Sequence, residues 1–131
     1  MLRTHISKER LILRLICNLK VSEGNNIYLI KIVRKYLDYY KLRVKDNVCP
    51  VCKKQFKSFR GLVAHISQVH ADEISKIYND VMNIFKLINT LIIKKDPRHP
   101  YLCIICKKKF NRYCEIFEHV INEHIFNSLY I

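Results

Sequence analysis

The stretch CPVCKKQFKSFRGLVAHISQVH, residues 49–70, decides how this chain is read. Cys49 and Cys52 are two residues apart, His65 follows after twelve, and His70 after four more. A second stretch, CIICKKKFNRYCEIFEHVINEH at residues 103–124, repeats the spacing with Cys103, Cys106, His119 and His124. Zinc in a structural site takes four ligands in a tetrahedron, and thiolate with imidazole suits its borderline softness. Two cysteines so close can point inward from one tight turn between short strands. Twelve residues then leave room for a second strand and the first turns of a helix, whose later turns present two imidazoles. The ligand set is complete without water, so the two expected zinc ions are structural rather than catalytic. A histidine pair at i, i+5 advances about 140° around an α-helix, so each helix is expected to tighten, widen or end near its second histidine.

Two apolar positions recur in the same register: Phe56 and Phe110 lie four residues after the second cysteine, and Leu62 and Ile116 six residues further on. A unit of some twenty residues needs such a pair beside its metal, because it cannot otherwise build a core. With its ligands and this pair, each copy resembles a C2H2 zinc finger of the ββα family, over residues 47–70 and 101–124. The resemblance implies base contacts from helix positions that here hold Ser58, Arg60, Gly61 and Ala64 in the first copy, and Arg112, Cys114, Glu115 and Glu118 in the second. Glycine and alanine offer no hydrogen bond, and glutamates meet phosphate repulsion unless each finds a cytosine amino group. Sequence reading by these helices is therefore expected to be poor.

The segment between the two copies is not a short flexible linker. Ile74, Ile77, Val81, Ile84, Ile88 and Leu91 fall at helical spacing, which predicts a long amphipathic helix within residues 71–100, stopped by Asp96-Pro97. A further apolar stripe on the finger helices, Phe59, Val63 and Ile66, then Tyr113, Phe117 and Val120, calls for a packing partner. The N-terminal residues 1–46 supply candidates. Ile12, Leu15, Ile16 and Leu19 line one predicted helix over 7–20; Ile30, Val33, Leu37 and Tyr40 line another over 27–42, with Gly24-Asn25-Asn26 as the turn. Cys17 reads as a small core residue and Cys114 as structural or idle. The fold class is thus mainly α with small β-hairpins: a basic helical hairpin (1–46), a first finger (47–70), a helical linker (71–100) and a second finger with a C-terminal extension (101–131).

The chain has 131 residues with 24 Lys and Arg against 11 Asp and Glu, a formal charge of +13. The excess is net +7 in residues 1–48 and +4 in residues 49–70, and only +1 in each of 71–100 and 101–131. Lys53, Lys54, Lys57 and Arg60, with Lys107, Lys108, Lys109 and Arg112, stand where cations meet phosphates without reading bases. The expected function is a zinc-stabilised protein that binds nucleic acid, DNA first, with little sequence preference. The alternative is a protein-interaction or dimerisation module using the finger helices. No Gly-rich phosphate loop and no nucleophile paired with a base is present, and zinc takes the histidines other than His5 and His99, so neither an enzyme nor a small-molecule substrate is expected.

The longest apolar run, Tyr101–Cys106, is far too short for a bilayer, and Arg14 interrupts what would be a signal-peptide core, so no membrane association or export is expected. In composition and size, rich in Ile and Lys and poor in Ala and Gly, the chain resembles small proteins of viruses of hyperthermophilic archaea, such as the Pyrobaculum spherical virus. That resemblance implies an intracellular place, the host cytoplasm, and a regulatory or packaging role; a eukaryotic source would imply the nucleus.

Overall fold

The computed structural model describes residues 8–17, 27–94 and 100–126. Their contacts divide into two compact units, with the boundary after Val81. The first holds α1 (Lys8–Ile16), α2 (Ile27–Tyr39), α3 (Phe59–Val69) and the first half of α4 (Ala71–Leu91). The second holds the rest of α4, β1 (Ile92–Lys94), β2 (Tyr101–Cys103), β3 (Lys109–Phe110) and α5 (Tyr113–Val120), which runs into a π-helical segment, Ile121–Ile125.

In the first unit α1 packs on both α2 and α3. Its buried residues Leu11, Ile12, Leu15 and Ile16 recur at helical spacing, and Cys17 closes the row with no exposure. Leu19 and the turn at 24–26 lie outside the described residues. Helix α2 buries Leu29, Ile30, Ile32, Val33, Tyr36 and Leu37. The expected Tyr40 is instead 46% exposed, and Tyr36 takes the inward place. The reason is twofold. The helix ends at Tyr39, with Leu42 N–H bonding Leu37 O and Lys41 N–H bonding Asp38 O around a left-handed Lys41 at φ 57°. Inside, the Tyr36 phenol has an acceptor, donating to Asp80 Oδ2 of α4 at 2.6 Å. Lys76 Nζ approaches the same oxygen at 2.8 Å.

After α2 the chain returns past α1, where Val44 N–H bonds Ile16 O. It then turns tightly through Asp46 and Asn47, both at positive φ, with Val48 N–H bonding Lys45 O at 3.1 Å. Asp and Asn are the residues that tolerate such a turn without glycine. The hairpin of the first finger is reduced to single bridges, Lys45 with Val48 and Val48 with Gln55. Ser58 caps α3 by accepting from Gly61 N–H. The apolar row of α4 is buried at Ile74, Ile77, Val81 and Ile88 and half-buried at Ile84 and Leu91.

The expectation that this helix runs on toward Asp96-Pro97 does not hold. It stops at Leu91, and Ile92, Ile93 and Lys94 form β1, antiparallel to β2 with Ile92 opposite Cys103 and Lys94 opposite Tyr101. Strand β2 also pairs with β3, giving the order β1-β2-β3. Periodicity does not distinguish a short apolar strand from the last turn of a buried helix. Here the β-branched Ile92-Ile93 pair takes up the free edge of the β2-β3 hairpin. Tyr113 of α5 donates to Asn89 Oδ1 at 2.6 Å and packs edge-on against Tyr101.

The apolar stripe on the finger helices is largely covered. Ile66 is 1% exposed, and Phe117 and Val120 are fully buried, while Phe59, Val63 and Tyr113 are half-buried. No helix among the described residues is long and apolar enough to cross a membrane.

Burial, and then the bond to Asp80, push the Tyr36 phenol above its ordinary pKa of 10.0. A group raised on folding favours the folded state most fully below its unfolded pKa and loses that contribution as pH rises through the folded value. Tyr36→Phe is therefore expected to lower the stability of the zinc-loaded protein at pH 7 by about 1 kcal/mol, and to flatten the loss of stability above pH 10. Thermal melts from pH 7 to 11 read both.

Candidate metal centres

The eight spaced cysteines and histidines come together as two clusters. Within Cys49, Cys52, His65 and His70, and within Cys103, Cys106, His119 and His124, one ligand atom from each residue lies within 4.8 Å of every other. The two are built alike. Cys49 N–H bonds Lys54 O and Lys53 N–H bonds Cys49 O; Cys103 N–H bonds Lys108 O and Lys107 N–H bonds Cys103 O. Each knuckle closes through a lysine in the left-handed region, Lys53 and Lys107, both at φ 67°. That geometry costs an L-residue roughly 1–2 kcal/mol and persists because the knuckle aims two thiols at one point. Phe56 and Phe110 lie against His65 and His119, with ring centroids 4.6 and 5.0 Å apart. Leu62 and Ile116, fully buried, complete the small cores.

The i, i+5 histidines meet their constraint in two ways. In the first cluster α3 ends at Val69, His70 takes φ −111° and ψ 30°, and α4 starts at Ala71. In the second, α5 passes without a break into the π-helical segment, whose wider turn returns His124 to the face of His119. Both reach one result: the paired imidazole Nε2 atoms are 3.2 Å apart.

The donor set fits zinc. With ordinary Zn–N and Zn–S bonds a tetrahedron has N···N edges of about 3.3 Å and N···S edges of about 3.6 Å. The sulfur of Cys52 is 3.4 Å from His65 Nε2, and that of Cys106 is 3.1 Å from His119 Nε2. Nitrogen lone pairs aimed at one another this closely repel unless a proton or cation lies between them. The protonation tendencies suit a cation. The Cys52 thiol falls from 9.0 to about 6, chiefly through the backbone N–H of Lys54, with help from the His70 and His65 rings and from Cys49. His119 is held below its ordinary value by burial, then by the charges of His124 and Lys108. Zinc, when bound here, supplies the cross-link that each small unit lacks.

One participant was missed in the sequence. Glu73 Oε1 lies 3.5 Å from His70 Nδ1, the ring nitrogen facing away from the cluster, while His70 itself is 6% exposed. A carboxylate there holds the proton on Nδ1 and leaves the Nε2 lone pair for the metal. The cue was present as a His-x-x-Glu spacing, since three residues on is one helical turn.

All eight predicted phosphate-contacting cations, Lys53, Lys54, Lys57, Arg60, Lys107, Lys108, Lys109 and Arg112, are exposed. Lys54 sits over the Phe56 ring at 5.7 Å. Of the base-reading positions, Ser58 spends its hydroxyl as the α3 cap, and Gly61 is half-buried. Arg112 precedes α5 and makes no side-chain cap bond.

Removing the outer carboxylate tests its part. Glu73→Gln is expected to weaken zinc binding at the first site about 10- to 100-fold, with the fold retained at saturating zinc, as read by competition with a chromogenic chelator.

Known proteins can be set beside this geometry. Zinc finger and BTB domain-containing protein 41 of Mus musculus and of Homo sapiens are each 26% identical over 106 residues, covering 81% of this chain and 10% of theirs. PR domain zinc finger protein 2 of Rattus norvegicus is 30% identical over 84 residues, covering 61% of this chain and 5% of its own. The chain thus spans a tenth or less of the length of these mammalian relatives. No solved structure matches it. Residues 48–72, which hold the whole first cluster, match the C2H2-type zinc finger family.

Proposed function

We propose that this chain is a non-enzymatic nucleic-acid-binding protein of low sequence specificity, whose two fingers are each stabilised by a structural zinc ion. The observation that carries the reading is the pairing of two convergent Cys2His2 clusters with eight exposed cations on the same knuckles and helix starts. Zinc is held by Cys49, Cys52, His65 and His70 and by Cys103, Cys106, His119 and His124. With four protein ligands each, both ions serve folding. Phosphates are met by Lys53, Lys54, Lys57 and Arg60 and by Lys107, Lys108, Lys109 and Arg112. DNA is the first nucleic acid to try.

Low specificity follows from the base-reading positions, where a capped serine, a half-buried glycine and an alanine leave Arg60 alone on the first helix. On the second, Glu115 and Glu118 repel the backbone that Arg112 attracts. The relatives are zinc finger proteins by name, which agrees with this reading. A module that binds partners or a second copy through the finger helices is the weaker reading, because Ile66, Phe117 and Val120 are already buried.

Elemental analysis of purified protein is expected to find two zinc ions per chain, and chelation to unfold at least the finger segments. One equivalent or none contradicts the two-finger reading. Fluorescence anisotropy with a mixed-sequence duplex is expected to show binding that weakens with salt, with a log–log slope of about −5 if five or six phosphates are neutralised. Absence of binding at low salt would make the charge a solubility feature.

A further inference from the structure

Outside the fingers, the first unit carries a second cationic surface with a different character. The outward side of α2 ends in two exposed rings, Tyr39 and Tyr40, at 37% and 46% exposure. They stand edge to face, 5.1 Å apart, and Tyr40 is backed by the buried Tyr36 at 4.6 Å. One turn before them, Arg34 and Lys35 are exposed on the same helix, and Lys41 is exposed just beyond it. Of the carboxylates nearby, Asp38 is engaged by Arg43 Nε at 2.8 Å and Asp80, behind Tyr36, by Lys76 Nζ at 2.8 Å. The surface is therefore cationic and ends in aromatic faces.

We propose that this end of α2 binds single-stranded nucleic acid, with phosphates met by Lys35 and Arg34 and an unpaired base stacked on Tyr39, which Tyr40 holds edge-on. The proposal rests on the nucleic-acid reading above and adds a surface that the fingers do not supply. Charge complementarity selects a polyanion. The rings select among polyanions, because an aromatic face has no use for the backbone of a duplex but stacks on any unpaired base. The helix dipole arranges the two parts. The carbonyl end of α2, at Tyr39, repels phosphate and suits a neutral base, while the arginine and lysine one turn back take the charge. The backing ring Tyr36 is fixed by its bond to Asp80, so the stacking platform is ordered before any ligand arrives.

The test uses the full zinc-loaded chain and fluorescein-labelled 12-nucleotide mixed-sequence strands, single and as duplex, followed by anisotropy. Tyr39→Ala is expected to weaken single-strand binding about tenfold and to leave duplex binding unchanged, while Tyr39→Phe, which keeps the ring, binds as the parent does. Arg34→Gln with Lys35→Gln is expected to reduce the log–log salt slope for single strand by about 1.4. Single-strand binding unmoved by Tyr39→Ala, or polyglutamate competing as well as unlabelled strand, overturns the proposal. If the parent binds duplex but not single strand, the α2 surface is refuted and the finger reading stands. If it binds neither, both fall.

Discussion

The second histidine of each cluster stands five positions after the first, and both imidazoles must still reach one point. A regular α-helix cannot do this, because the second ring would stand about 140° around the axis from the first. The two units release the conflict differently. The first ends its helix at His70 and starts another at Ala71; the second keeps its helix but widens it over Ile121–Ile125. Nothing in the composition of Gln68 to Asp72 requires a helix break, since neither glycine nor proline occurs there. The ligand geometry does. His70 is thereby made to serve at once as the cap that closes one helix, the carbonyl that starts the next through Ile74 N–H, and a member of the Cys2His2 cluster.

The same economy appears around the knuckles. Lys53 and Lys107 accept a left-handed backbone that a glycine would adopt at less strain, and each carries an exposed positive charge. Stability and charge are thus balanced at a single position. Each hairpin is further extended on its N-terminal side, by the Lys45–Val48 bridge in the first unit and by β1 in the second. These additions give the short strands a partner and attach each Cys2His2 unit to the helical segment that precedes it.

That attachment bears on function. A unit of this size standing alone has too little chain to cover its helix, whereas here Ile66, Phe117 and Val120 are enclosed. What remains outside is charge on the knuckles and helix starts, together with the apolar knuckle residues Val51, Ile104 and Ile105, Val69 at the end of α3, and the aromatic end of α2. Under the function proposed above, such a surface meets a polyanion by its backbone and has few groups with which to tell one base pair from another.

The metal clusters were legible in the sequence because their information is local: two cysteines and two histidines at fixed spacing, repeated with the same Phe and Leu/Ile positions. The helical rows of α1, α2 and α4 were legible for the same reason, since a helix buries residues a few positions apart. The expected trouble at the second histidine was also readable, as a matter of angle alone. Other features needed the tertiary structure. Whether the helix would break or widen depended on the surroundings of each second histidine, a new helix in one case and the buried Ile121 and Ile125 in the other. That Tyr36 rather than Tyr40 faces inward depended on Asp80, forty-four residues away. That Ile92 and Ile93 form a strand depended on the open edge of β2. Local spacing is written in the chain, but the choice between two locally acceptable conformations belongs to partners that only folding brings near.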